Sequence, residues 1–220
     1  GKDGSYKARL ESPASLWWMN WRTGDEGIWH DQTGSQLTAE EQEALKERTR
    51  QARIARDKER DERYQSAAQK ALYLWNKLDI ANSDHSYLKR KGIYVLGEVR
   101  LTNTGRLVLP LWNEKGELTS LQYIDGNGEK NFLAGGRTCE IPASPDKSNG
   151  PLLLCEGYAT GASLHMATGY ACVIAFNCGN LLPVAKTLRS RYPNREIILC
   201  ADNDINTKKP DGTPYNPGKE

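Results

Sequence analysis

Three acidic residues stand where apolar runs stop. Glu156 ends the run "PLLLC" and is followed at once by Gly157, while Asp202 and Asp204 form a D-x-D after "REIILCA". Continuous apolar runs of this kind read as strands buried on both faces, so each acid is expected at a strand's carboxyl end. That rim is where open α/β sheets bind their ligands. Residues two apart in extended chain share a direction, so Asp202 and Asp204 are expected to point together. Three carboxylates on one rim repel each other unless a cation joins them. Hard oxygen donors suit Mg²⁺ or Mn²⁺, which keep waters and bridge to phosphates. A Glu-Gly step alone is common, and many D-x-D runs are solvated turns; their joint placement in one α/β unit favours a metal site. Gly157 is expected to let the backbone turn sharply beside the acid.

The elements that must position these acids are readable in the residues between them. "YATGASLHMAT" reads as a helix, "ACVIAF" as a second strand, "NLLPVAKTLRSRY" as a second helix and "REIILCA" as a third strand. Apolar strands alternating with helices predict a parallel sheet covered on both faces. The second strand ends in Asn177-Cys178-Gly179-Asn180. Asn177 and Asn180 are candidates to hydrogen-bond phosphates, and Asn180 is equally a good N-cap for "LLPVAK".

Upstream, residues 99–134 alternate apolar and polar, with hairpin signals at "NEKG" and "DGNG", which predicts an antiparallel sheet of about four strands. "SDHSYLKRKGI" reads as a short capped helix with Gly92 as its C-cap. Lys89, Arg90 and Lys91 suit the negative end of that helix, and as a cluster they also form a candidate phosphate patch. Residues 143–150 read as a polar linker.

The N-terminal region differs in composition. Residues 1–37 hold Trp17, Trp18, Trp21 and Trp29 of the six tryptophans, with turns at Gly24 and Gly34. This predicts a small β-rich unit. A compact tryptophan-filled core is the favoured reading, and an aromatic-basic surface that stacks single-stranded bases is the other. "TAEE" is a capping box, with Thr38 as N-cap and Glu41 reaching back. A helix without Gly or Pro then continues to Leu78. Its first part is charged on all faces and reads as a linker, 38–65. Ala68, Ala71, Leu72 and Trp75 form a stripe expected to dock on the next unit of the chain. The segments are therefore 1–37, a β-rich piece; 38–82, a charged helical linker; 83–142, a basic α+β subdomain; and 151–220, an α/β domain.

A net charge of +2 from 30 basic and 28 acidic side chains leaves no strong global field, so nucleic-acid binding must rest on local patches. Cys139, Cys155, Cys172, Cys178 and Cys200 make no C-x-x-C pair, which argues against zinc and for buried thiols in a reducing cytoplasm. No apolar run is long enough to span a membrane, and the first residues lack a hydrophobic signal region. The chain has no initiator Met and reads as a fragment or a processed product. His30, His85 and His165 are too scattered to form a catalytic group.

"LLLCEGYATGASL" followed by "REIILCADND" resembles the Toprim domain found in DnaG-type primases, topoisomerases and some nucleases. "YLKRKGI", "GRLVLPLWNEKGELTSLQYID" and "GEKNFLAGG" resemble the basic subdomain that precedes Toprim in primases of the phage and plasmid kind, which are often fused to a helicase. The likeness runs over about residues 83–220 and is weak before that. It implies a Toprim α/β fold preceded by the basic subdomain. It also implies Glu156, Asp202 and Asp204 as holders of the divalent metals, Mg²⁺ or Mn²⁺, that serve nucleotidyl transfer. Arg106 and Lys130 are implied to face the metal rim and hold nucleotide phosphates or template; on the residues alone, both read as ordinary solvated charges. Thr160 stands where many bacterial primases carry a further Asp. The domain also calls for a helix and a strand beyond the "INTKKPDGTPYNPGKE" loop, where Lys208 and Lys209 add positive charge.

The expected function is a DNA primase core, a metal-dependent nucleotidyltransferase making RNA primers on single-stranded DNA from nucleoside triphosphates in phage or plasmid replication. A replicative helicase, fused or in trans, is an implied partner, and the expected location is cytoplasmic. A Toprim nuclease and a non-catalytic nucleic-acid-binding module are the alternatives. The basic subdomain ahead of the Toprim run favours the primase.

Overall fold

A computed structural model describes residues 4–10, 14–20, 25–31, 38–136, 150–203, 206, 208 and 212–213. Asp204, Trp21, Cys139, Lys209, the turns at Gly24 and Gly34 and the linker 143–149 lie outside these residues, as does the side chain of Glu41. The chain divides into two units, residues 1–58 with 203–220, and residues 59–202.

In the first unit, β1 (Gly4–Arg9), β2 (Ser15–Asn20) and β3 (Glu26–His30) form an antiparallel meander. Full register puts Tyr6 opposite Trp18 and Gly27, and Leu16 opposite Ala8 and Trp29. Because side chains alternate, these residues share one uncharged face, and Lys7, Arg9, Trp17, Ile28 and His30 share the other. The Trp18 indole lies over Gly27, where a Cβ would stand 2.8 Å from its Nε1. The expected tryptophan-filled core is not formed: none of the described residues of this sheet is buried. Among the described residues neither face of this meander is buried, so its rings lack the second layer that a core needs.

Helix α1 (Ala39–Trp75) begins directly after Thr38, whose carbonyl accepts from Gln42 N–H. Its charged first turns carry i,i+3 and i,i+4 pairs, among them Glu47–Arg50 and Arg53–Asp57. Its last turns bury Ala67, Ala71 and Trp75, which recur at the i,i+4 spacing of one helix face. Leu72, expected on that stripe, points away and is exposed; Ala67 takes its place.

The second unit also holds a five-stranded antiparallel sheet in the order β4 (Asp79–Ile80), β5 (Arg100–Leu101), β6 (Leu107–Trp112), β7 (Leu118–Ile124), β8 (Lys130–Phe132). Four of these strands fall where alternation predicts them, and β4 is an added edge. Val108, Leu121 and Leu133 pack with Ala71 and Trp75 of α1. Leu107, Leu109 and Ile124 pack with Tyr87 and Leu88 of α2 (Ser86–Lys91) and with Tyr158 and Ala162. Gly92 closes α2 in the left-handed region, at φ +65.

Next come β9 (Leu152–Cys155), α3 (Tyr158–Thr168), β10 (Ala171–Ile174), α4 (Leu181–Arg191) and β11 (Ile197–Cys200). The strands are parallel, in the order β10-β9-β11. All four residues of β9 are buried, as a central strand covered on both faces requires. Leu152, Leu154 and Val173 meet Val184 and Leu188 of α4. On the opposite face Gly161 of α3 approaches closely, since a Cβ there would stand 3.1 Å from Cys155 Sγ. Among the described residues, no helix is long and apolar enough to cross a membrane.

Candidate functional site

The three parallel strands end level. Cys155 is paired with Ile174 on one side and Cys200 on the other, and Ala175 N–H donates to Cys155 O at 2.8 Å. Glu156 therefore leaves β9 at the rim where Asp202 follows β11. Oε1 of Glu156 is shielded from solvent, while Asp202 is exposed. The two acids share a neighbour: burial pushes the Cys155 thiol up to about 12, and Cys172, Cys200 and the Asp202 carboxylate push in the same direction. Cys172 rises to about 11, again chiefly from burial. These thiols line one face of the sheet and are held neutral, as structural cysteines rather than nucleophiles. Among the described residues, no three His, Cys, Asp or Glu side chains close on one point. Glu156 and Asp202 are the described members of the expected acid set.

Lys130 comes to this rim from the other sheet. Its Nζ lies 3.4 Å from the point where a Cβ on Gly157 would stand, and Thr160 Oγ1 lies 3.8 Å from the same point. Gly157 itself has φ −119 and ψ 152, extended backbone that any residue adopts. Its use is thus not the sharp turn expected of it. With no side chain, it leaves an open step between the acid and the lysine.

The remaining residues divide. The Arg106 guanidinium lies 5.1 Å from the Tyr123 ring, and Tyr123 borders the cluster around Ala71 and Trp75. Arg106 Nε is buried and has no hydrogen-bond partner among the described residues. Lys89 pairs with Asp84 at 2.9 Å on an exposed surface. Arg90 donates to Gly126 O at 2.7 Å, and Lys91 is exposed. Asn177 Oδ1 accepts from Asn180 N–H at 3.0 Å and caps the 3-10 turn Cys178–Asn180. Asn180 does not cap α4 with its side chain; its amide is buried and donates to Ala175 O at 2.8 Å.

Three residues that join or fix elements of this unit escape pattern reading. Tyr158 Oη accepts from Leu96 N–H at 2.9 Å and donates to Leu96 O at 3.1 Å, tying the start of α3 to the segment after α2. Its place right after Glu-Gly is the one signal in the sequence. His85 caps α2, with Nδ1 accepting from Tyr87 N–H at 3.2 Å and Nε2 2.7 Å from Gly105 O. Phe176 has φ +68, alone among the described non-glycine residues in being positive. Such backbone is strained by roughly 1–3 kcal/mol and persists where packing over-determines it. Here Phe132 meets Phe176 edge-on with ring centroids 6.2 Å apart.

The Toprim domain model matches residues 150–213. Two Escherichia coli proteins named DNA primase TraC are 29% and 28% identical, each over 99% of this chain. The chain spans only 15% and 21% of the length of these relatives. Among solved structures, one of a bacteriophage T7 lagging-strand DNA polymerase interacting with primase domains aligns with a TM-score of 0.37 and 12% identity, covering 56% of this chain and 65% of that one. The primase fragment of the bacteriophage T7 primase-helicase protein aligns at 0.35 and 11%, covering 52% and 48%. Those two values are too low to transfer geometry. The acid-bearing parallel sheet and the family match converge on the same segment: residues 150–213 match the Toprim domain, and nearly the whole chain is similar to proteins named DNA primase.

Proposed function

We propose that this chain is the catalytic core of a DNA primase, a nucleotidyltransferase that joins ribonucleotides into RNA primers on single-stranded DNA during phage or plasmid replication. The supporting observation is the meeting at one rim of two carboxylates, Glu156 and Asp202, with the Lys130 ammonium at the Glu156–Gly157 step. The oxygen-only donor set fits a hard divalent cation, Mg²⁺ or Mn²⁺. Glu156, Asp202 and Asp204 would hold it, and when bound it supplies charge neutralisation at the phosphates and activation of the attacking hydroxyl. Lys130 would hold a nucleotide phosphate over the rim. Arg106, Lys91, Lys89 and the Asn177–Asn180 turn are proposed as the surrounding nucleotide and template contacts, with Arg90 beside them acting through the β7–β8 turn. The segments 1–37, 38–82, 83–142 and 151–220 are proposed as its functional divisions. A replicative helicase, fused or in trans, is proposed as partner, and the cytoplasm as location.

The test incubates the chain with single-stranded DNA, labelled nucleoside triphosphates and Mg²⁺ or Mn²⁺, beside an Asp202→Ala/Asp204→Ala variant. Products that lengthen from triphosphates and vanish in the variant support the reading. Degraded template would replace it with a nuclease. Metal-independent DNA binding without either product would replace it with a binding module.

A further inference from the structure

Arg90 stands in a basic trio that reads as a phosphate patch, yet its guanidinium, on an exposed surface, is engaged by the protein itself. Nη1 donates to Gly126 O at 2.7 Å, and the group sits 5.7 Å from the centre of the Tyr87 ring. Tyr87 is only 2% exposed, so the ring is a fixed platform. The turn it grips is the β7–β8 hairpin. Asp125 Oδ1 accepts from Asn127 N–H at 2.9 Å and Glu129 N–H at 2.8 Å, and Gly128 N–H donates to Asp125 O at 3.0 Å, so the turn moves as one body. The fit against α2 is close. A Cβ on Gly128, which has φ +89, would stand 3.1 Å from Arg90 Nη2 and 3.2 Å from Tyr87. Ser86 Oγ adds a second, longer donation to Gly126 O, at 3.5 Å.

Lys130 comes just after this turn. It opens β8, a three-residue edge strand paired only to β7. So short an edge strand frays unless it is pinned. Phe132 against Phe176 pins the end after Lys130. Arg90 pins the end before it.

We propose that Arg90 is a positioning residue that acts through the Asp125–Gly128 turn to hold Lys130 against the Glu156–Gly157 step. A charged donor reaching a carbonyl while keeping a cation–π contact with a ring is a task for the planar guanidinium that lysine does not reproduce. A phosphate contact, by contrast, would tolerate lysine. In its catalytic consequence, the inference rests on the primase reading; in its structural content, it does not.

Two measurements separate the structural content from the catalytic one. First, the acetylation rate of Lys130 by acetic anhydride is followed by mass spectrometry in the wild type, Arg90→Gln and Arg90→Lys, with exposed Lys115 as internal reference. Lys130 is expected to react about threefold to tenfold faster in both variants, with Lys115 unchanged. Equal Lys130 rates in all three proteins would overturn the inference, whatever the activity. Should Arg90→Gln lose its folded circular dichroism signal, the Arg90→Lys protein decides alone. Second, the nucleotide KM is compared across wild type, Arg90→Lys, Lys130→Met and the double variant. Non-additive losses, with Arg90→Lys nearly silent once Lys130 is gone, are expected. Losses that multiply would mean that Arg90 touches nucleotide or template itself, and would also overturn the inference. A faster-acetylating Lys130 in a protein that makes no primer would uphold the positioning and reject the primase reading.

Discussion

Two three-stranded sheets in this chain behave in opposite ways. The N-terminal meander is rich in aromatics and pairs in full register, yet buries none of its described residues; Tyr6 is 77% exposed and Trp29 54%. The parallel sheet is aliphatic, its strands are four residues long, and its central strand is wholly buried. The ladders are complete in both. What differs is cover: α3 and α4 pack on the two faces of the parallel sheet, and the core forms where side chains interdigitate between layers. Backbone pairing makes a strand, and a second layer makes a core. The acids sit at the end of the covered sheet because only a rigid, packed strand fixes where its last residue points.

The sharpest test of this contrast is truncation. Leu154→Ala should destabilise the chain by about 2–5 kcal/mol, whereas Trp29→Ala should cost no more than about 1 kcal/mol, both read from urea unfolding by circular dichroism. Equal costs would mean that the meander is covered in solution. At the rim, on the proposed primase reading, Glu156→Gln should lower primer synthesis about a hundredfold or more while leaving the unfolding midpoint in place. A parallel fall in stability would instead make Glu156 a structural residue.

A third test uses pH. Burial holds the thiols of Cys155 and Cys172 at about 12 and about 11, above their ordinary value of 9.0. Folded values above unfolded ones mean stability that is complete below about pH 9 and is lost as pH rises toward 11 and 12. The unfolding midpoint should therefore fall between about pH 8.5 and 11, less so in Cys155→Ala. An unchanged slope in that variant would show that another group governs the alkaline loss. The smallest effect is optical. Acrylamide should quench a fraction of tryptophan fluorescence that disappears with Trp18→Phe/Trp29→Phe and persists with Trp75→Phe, since Trp75 is only 4% exposed.

Much of the site was legible in the sequence. The apolar runs before Glu156 and Asp202, the left-handed glycine after α2 and the hairpin turns are local signals, because burial on both faces and positive φ restrict residue choice wherever they occur. The placement of Lys130 was not legible from pattern alone. Its neighbour Gly157 is 27 residues away, and no periodicity encodes a meeting of two sheets. Arg90 and Asn180 read as surface groups by type, but folding set one, still exposed, onto a neighbouring turn's carbonyl and buried the other behind β10. Leu72 failed for a smaller reason: on a helix one position is about 100° of rotation, and only docking decides which side of the stripe is covered.

By itself, then, the amino-acid order determined the strands, their acidic ends and the helices that cover them, since each depends on neighbours within a few residues. Tertiary structure alone decided which cation reaches the acids, which thiols are silenced and which aromatics stay in water. Those outcomes depend on layers packing across long stretches of chain, where desolvation and close contact act between residues that local sequence never brings together.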